Sequence, residues 1–336
     1  MGRGTVTMSD VAQLAGVSKM TVSNVVNNRG GVSDRVRKRV LEAIRDSGYR
    51  LNVSARVLKS GRTGVIGLAV PEIAPPYFSQ LAAHVIEAAD RHGFHVAVEQ
   101  TGAIAAGERD VISQSHKLQF DGLILSAVGL DLERYRPPEG DFPIVLLGEQ
   151  EFGKKFDHVL MANEEGSKAA TLHLMDRGCE RIAIVTGSVF DRINIETRRH
   201  RGYLEAHEEQ GMVADPDLRL TLAAMDLESG RAAAHRLADS GLDFDGVVAV
   251  TDTVAQGVLR GLFDRGIRVP GDVRLIGFDD ILESRYMVPA LSTVAPDHRW
   301  MADRAVELVI ARIGEPGRPT GEYFAPFELR VRESTC

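Results

Sequence analysis

Cysteine is almost missing from this 336-residue sequence: Cys179 and Cys336 are its only two, far apart and without the spacing of metal ligands. That scarcity excludes a disulfide framework and a thiolate zinc site. Long apolar runs are missing too. None approaches the roughly 18 residues that span a bilayer, and the opening "MGRGTVTMSD" has no apolar secretory core, so a cytoplasmic protein without membrane contact is expected. The sequence has no glycine-rich phosphate loop, no metal motif and no nucleophile–base–orienter spacing, which argues against an enzyme, a metal or a cofactor. What is present is ordinary globular composition, 44% hydrophobic and 26% charged, with length for about two to three domains.

The charge is unevenly distributed. Residues 1–62 carry 12 Lys/Arg against 4 Asp/Glu, net +8, while the rest carries 28 against 43, net −15. A small basic module on a large acidic body suits a polyanion at one end, although a solvated charged face would look the same by charge alone.

The opening stretch favours the first reading. Thr7 and Asp10 have capping-box spacing ahead of Val11, Ala12 and Ala15, which predicts a short helix over Met8–Ala15. Gly16 permits a turn, Ser18 caps a second helix with Val22, Val25 and Val26 as its apolar stripe, and the pair reads as a helix-turn-helix. A third helix is expected from a Ser33 cap, with Val36, Val40, Leu41 and Ile44 inward and Gly48 at its end. Lys19, Met20, Thr21, Ser23, Asn24 and Asn27 lie off the stripe, available to bases and phosphates.

From Thr63 the pattern changes to strands such as "TGVIGLAV", "FHVAVEQ" and "FDGLILSAV" alternating with helices. It resumes after about residue 163 with "RIAIVTG", "DGVVAVTD" and "VRLIGFDD". Alternation of this kind predicts parallel sheets covered on both faces, in two Rossmann-like halves, with ligands beyond the carboxyl ends of the strands. Tyr77 and Phe78 follow the first strand, placed either to stack on a ligand ring or to fill the core.

The blocks "VTMSDVAQLAGVSKMTVSNVVN" and "VSDRVRKRVLEAIRDSGYRLNVSARVLKSGRTGVIG", followed by "RRHRGYLEA", "LIGFDD", "LSTVAPD" and "LRVREST", resemble the lactose/galactose repressor (LacI/GalR) family over almost the whole chain. The resemblance implies an all-α helix-turn-helix headpiece (1–50), a hinge segment (51–62) and an α/β body like a periplasmic binding protein (63–336). Within the body it implies one subdomain of about 63–162 and 293–322 and a second of about 163–292 and 323–336. It further implies a homodimeric repressor on a pseudo-palindromic operator in double-stranded DNA, controlled by a small polar effector, a carbohydrate or alternatively a purine. A secreted solute-binding transport protein would share the body but not the basic headpiece.

Residue by residue, the resemblance places Lys19, Met20 and Asn24 at base edges and Ser18, Thr21, Asn27 and Ser33 at phosphates. Asn52, Ala55 and Leu58 align with a hinge that wedges into the minor groove. Two departures stand out there: Leu51 where the family usually has Pro, and Asn24 where it most often has Arg. For the effector, the resemblance marks Arg199, beside Arg198 and Arg201, and Asp279 at the end of "LIGFDD". Thr251 is marked where the family often has Asn, and His298, Met225, Ser126 and Glu149 are weaker candidates.

Overall fold

The computed structural model describes residues 6–26, 30–48, 62–130, 142–149, 155–190 and 193–336. The chain divides into two compact units, Met1–Thr63 and Gly64–Cys336.

In the first unit, helix α1 (Met8–Ala15) opens on the expected box: the Asp10 amide donates to Thr7 Oγ1, and the Thr7 amide donates to the Asp10 carboxylate at 2.8 Å. Gly16 closes it at φ +60°, a left-handed turn that glycine adopts without a Cβ clash. Helix α2 (Lys19–Val26) starts where the Thr21 amide donates to Ser18 Oγ at 3.1 Å. Helix α3 (Asp34–Ser47) follows Ser33 and ends at Gly48. Val11, Ala15, Val22, Val25, Val40 and Ala43 close the core between them. Two expectations are corrected. Ser33 occupies the cap position but its hydroxyl makes no cap bond, and Leu41 is 51% exposed. Val36, Val40, Ala43 and Ile44 follow the helical period, which turns Leu41 away from the core.

The second unit runs β1 (Val65–Val70), α4 (Pro76–Arg91), β2 (His95–Gln100), α5 (Ala105–Lys117), β3 (Gly122–Ser126), β4 (Ile144–Leu147) and β5 (Asp157–Met161). The chain then crosses into α6 (Asn163–Asp176), β6 (Ile182–Gly187), α7 (Ile195–Glu209), β7 (Arg219–Leu222), α8 (Leu227–Asp239), β8 (Gly246–Ala249), α9 (Asp252–Asp264), β9 (Arg274–Phe278) and β10 (Ser292–Pro296). It returns through α10 (His298–Gly314) and β11 (Glu322–Ala325) and finishes with β12 (Phe327–Arg330).

Two six-stranded sheets result, in the orders β2-β1-β3-β4-β5-β11 and β7-β6-β8-β9-β10-β12. Every pairing is parallel except β10 with β12. Continuous apolar strands such as Val65–Val70 are buried almost throughout, as parallel sheets covered on both faces require. One apolar cluster joins the two sheets, from Ile66 and Val159 to Ile184, Phe278 and Val294. β10 pairs with β9, so the chain re-enters the first half after Pro296 rather than near residue 293. It leaves again between Ala325 and Phe327 rather than near 322. The closing strand Phe327–Arg330 does lie in the second sheet.

No helix among the described residues is long and apolar enough to cross a membrane.

Candidate functional site

In the headpiece unit, α2 presents the polar face that the sequence suggests. Val22 and Val25 are buried, Ser18, Lys19 and Met20 are exposed, and Thr21 and Asn24 are half-buried. Met20 is 69% exposed, a large cost for an apolar side chain unless a partner covers it. Ser18 and Thr21 also bond each other, Oγ to Oγ1 at 2.9 Å, which fixes both hydroxyls at the start of the helix. Ser33 is exposed at the start of α3. Asn27 and the hinge positions Asn52, Ala55 and Leu58 lie outside the described residues.

In the body, a polar cluster forms at the carboxyl ends of the parallel strands, where open α/β sheets place their ligands. Arg199 is its centre. Helix α7 brings it there by packing closely on α6: a Cβ on Gly202 would sit 2.1 Å from the Glu164 carbonyl oxygen, so only glycine allows the approach. The Arg199 guanidinium is 1% exposed and wholly engaged. Nε donates to Asn163 Oδ1 at 2.7 Å, Nη1 donates to the Val250 carbonyl, and Nη2 donates to Asp279 Oδ1 at 3.1 Å. Its plane lies 3.5 Å from the centre of the Phe278 ring. A guanidinium spreads its charge over a flat fork, and this one uses both its edge and its face.

Asp279 and Asp280 follow β9 with φ +112° and +47°, two consecutive non-glycine residues in a region that L side chains rarely adopt. Their surroundings over-determine the turn. The Asp279 amide donates to the Val294 carbonyl at 2.9 Å, and Asp280 pairs with Arg332. Burial pushes the Asp279 carboxyl up to about 6, and Arg199 opposes the shift.

Tyr77 and Phe78, in the first turn of α4, meet edge to face at 4.9 Å and pack on the core. Tyr77 also meets the His298 ring at 5.3 Å. Burial raises the Tyr77 hydroxyl, with the Asp279 and Glu149 charges adding to the shift. His298 is buried at the start of α10, and burial lowers its imidazole to about 4, so it is neutral at pH 7. Ser126 is buried at the end of β3.

Glu149, two residues beyond β4, belongs to the same cluster. Its Oε1 accepts the Met161 amide at 3.1 Å, and burial pushes the carboxyl up to about 7 against that bond and the Arg199 and Arg198 charges. Arg198 donates to the Glu149 carbonyl at 3.1 Å and to Glu164.

Two expected effector residues have other duties. Thr251 does not end a strand: β8 stops at Ala249, and Thr251 Oγ1 accepts the Val254 amide at 3.2 Å as the cap of α9. Met225 is half-buried against the second-half core. Asn163 and Thr186, which no motif singles out, do stand at this end of the sheets. Asn163 holds Arg199, and Thr186 is fully buried near the end of β6.

The cluster offers carboxylate oxygens, a neutral imidazole and aromatic faces, groups suited to a small ligand rich in hydroxyls. Among the described residues, no group of three or more His, Cys, Asp or Glu is arranged to hold a metal ion.

Comparison with known proteins bears on both units. The model of bacterial regulatory proteins of the lacI family matches residues 7–52, and that of a periplasmic binding protein-like domain matches residues 171–335. The chain is 30% identical over 332 residues to a ribose operon repressor of Halalkalibacterium halodurans, covering 98% of this chain and 97% of that protein. Among solved structures, a putative transcriptional regulator of the LacI family from Sanguibacter keddieii is 39% identical with a TM-score of 0.76, over 82% of this chain and 99% of that one. The transcriptional regulator CelR in complex with cellobiose is 28% identical with a TM-score of 0.72, over 98% of this chain and 99% of that one.

Proposed function

The chain belongs to the lacI family of bacterial regulatory proteins, and from that premise we propose how this DNA-binding transcriptional repressor reads its operator and what releases or recruits it. Helix α2 enters the major groove with Lys19, Met20 and Asn24 at base edges, while Ser18, Thr21, Asn27 and Ser33 hold phosphates. The net +8 of residues 1–62 supports this with a large, salt-sensitive backbone attraction. Asn52, Ala55 and Leu58 form the hinge, with Leu58 wedged into the minor groove at the centre of the site; unstacking a base step there is offset by the contacts of bent DNA. Two copies pair as a homodimer, since one recognition helix reads one half-site and two-fold symmetry doubles it.

The effector is a small polar molecule, a sugar, held at the strand ends by Asp279, Tyr77, His298 and Ser126. Arg199 serves chiefly to orient Asp279. The observation that carries this half of the proposal is the Arg199–Asp279 pair, in which α7 and the β9 turn converge with α4 and α10 at one end of the sheets. The ribose operon repressor and the CelR–cellobiose complex among the relatives favour a sugar. An effector moves DNA affinity only by its differential affinity for two arrangements of the protein, typically by about 5- to 150-fold.

The test is selection of binding sites from random DNA with the full chain, followed by affinity measurements with ribose, cellobiose and a wider sugar panel. A two-fold symmetric motif whose affinity shifts about fivefold or more with one sugar is expected. An asymmetric motif would refute the dimer, and a motif insensitive to every sugar would refute the effector class.

A further inference from the structure

Buried polar atoms are nearly always hydrogen-bonded, so those without partners mark places where something else is recognised. Glu149 Oε2, Thr186 Oγ1 and His298 Nε2 are three such atoms, buried and without a hydrogen-bond partner among the described residues. They come from three different strand ends: Glu149 just beyond β4, Thr186 at the end of β6 and His298 just beyond β10. Both sheets contribute, and all three lie at the end of the fold that carries Arg199 and Asp279. Tyr77 links the group, touching His298 and feeling the charges of Glu149 and Asp279.

The sign of the charge in this cluster is informative. Its two guanidinium groups are both committed within the protein. Arg199 is held by Asn163, Val250, Asp279 and the Phe278 ring, and Arg198 by the Glu149 carbonyl and Glu164. Neither has the open two-pronged edge with which arginine grips a phosphate or carboxylate. The atoms left over are an acceptor on a carboxyl group, a hydroxyl and a neutral imidazole nitrogen. A ligand hydroxyl satisfies each of them, donating to Glu149 and exchanging bonds with Thr186 and His298. A ligand phosphate or carboxylate would bring negative charge beside Glu149 and Asp279 in a buried setting, where like charges repel more strongly than in water.

We propose that the effector is an uncharged, unphosphorylated polyol, with one hydroxyl donating to Glu149 Oε2, and that Glu149 excludes the phosphorylated and carboxylated forms of the same sugar. The inference rests on the sugar-effector reading above and narrows it to one chemical class. Glu149 acts here as a specificity residue: it reads the charge of the ligand as well as one of its hydroxyls.

The experiment titrates the full-length protein with matched pairs, ribose against ribose 5-phosphate, glucose against glucose 6-phosphate and gluconate, and further neutral sugars against their phosphates. Binding is followed by calorimetry and by the fluorescence of Trp300, the chain's only tryptophan, which begins α10 beside His298. At least one neutral sugar binds, its phosphate binds about tenfold or more weakly, and Glu149→Gln narrows that ratio because the amide carries no charge. A phosphorylated sugar that binds as tightly as its parent, or more tightly, overturns the inference while leaving the sugar-effector reading standing. Binding by no sugar of either kind overturns that reading and the inference with it. The wild-type ratio decides the question even if Glu149→Gln fails to fold.

Discussion

Arg199 and Asp279, eighty residues apart in sequence, meet as a buried ion pair with Nη2 and Oδ1 at 3.1 Å. Breaking a buried pair from one side costs about 3–5 kcal/mol, because the remaining charge stays buried alone. Arg199→Ala should therefore lower body stability by that order, measured by urea unfolding, as well as weaken effector binding. Asp279→Asn should cost less, since the amide still accepts a hydrogen bond, yet it should remove most of the effector response. If Arg199→Ala is as stable as wild type, the pair is not the framework described here.

Glu149 makes stability depend on pH. Its carboxyl lies at about 7 in the folded protein against an ordinary 4.5, so folding favours the protonated form. The sign follows: the contribution is fully present below about pH 4.5 and is lost as pH rises through 7, on the order of 3 kcal/mol in all. Glu149→Gln removes it. The melting temperature of the variant relative to wild type should rise between pH 4.5 and 7 and then level off; Asp279, at about 6, titrates in both proteins and cancels. A difference that stays flat across this range would contradict the burial assigned to Glu149.

The parts of this architecture that were legible in the sequence are those fixed by local chemistry. The Thr7–Asp10 box, the Ser18 cap, Gly16 and Gly48 set the headpiece helices within a few bonds of chain, and apolar strands separated by amphipathic helices identify two covered parallel sheets. Asp279 was legible as a strand-end carboxylate. What was hidden depends on contacts across 30 or more residues. Nothing near Arg199 in the chain indicates that Asn163 and Val250 would occupy its donors. Thr251 reads as a strand end until the helix it caps is seen, and the orphaned oxygens of Glu149 and Thr186 exist only once both sheets are assembled. Leu41 shows the limit of reading an apolar stripe by residue type alone.

Gly277, two residues before Asp279, offers a separate test of how the strained turn is held. A Cβ there would lie 2.2 Å from Asp252 Oδ1. Asp252 is fully buried and accepts bonds from Thr293 Oγ1 at 2.6 Å, Ser284 Oγ at 2.7 Å and the Ile281 amide at 3.1 Å, which tie the segment after Asp280 to α9. Gly277→Ala must displace that carboxylate and leave several buried groups unpaired, at about 1–3 kcal/mol for each group lost. The expected result is a clear drop in melting temperature together with weaker effector binding, and a stable variant with unchanged effector affinity would show that the turn does not need Asp252.

The last prediction concerns the base that α2 reads. Lys19 and Met20 stand exposed, and Asn24 lies one turn further along the same polar face, half-buried beside the Val22–Val25 stripe. Asparagine pairs bidentately with adenine through N6 and N7, lysine favours guanine O6 and N7, and methionine offers only an apolar contact such as a thymine methyl group. The operator half-site should therefore carry adenine opposite Asn24 and guanine near Lys19. Asn24→Arg replaces an amide by a fork that matches guanine, so binding-site selection with the variant should move one symmetric pair of positions from A to G. About 1–3 kcal/mol of discrimination is at stake in each contact, enough to dominate a selection over several rounds. The competing outcome is equally definite: if Asn24 touches a phosphate, the arginine variant binds all sequences more tightly, the salt dependence steepens, and the selected motif stays as it was.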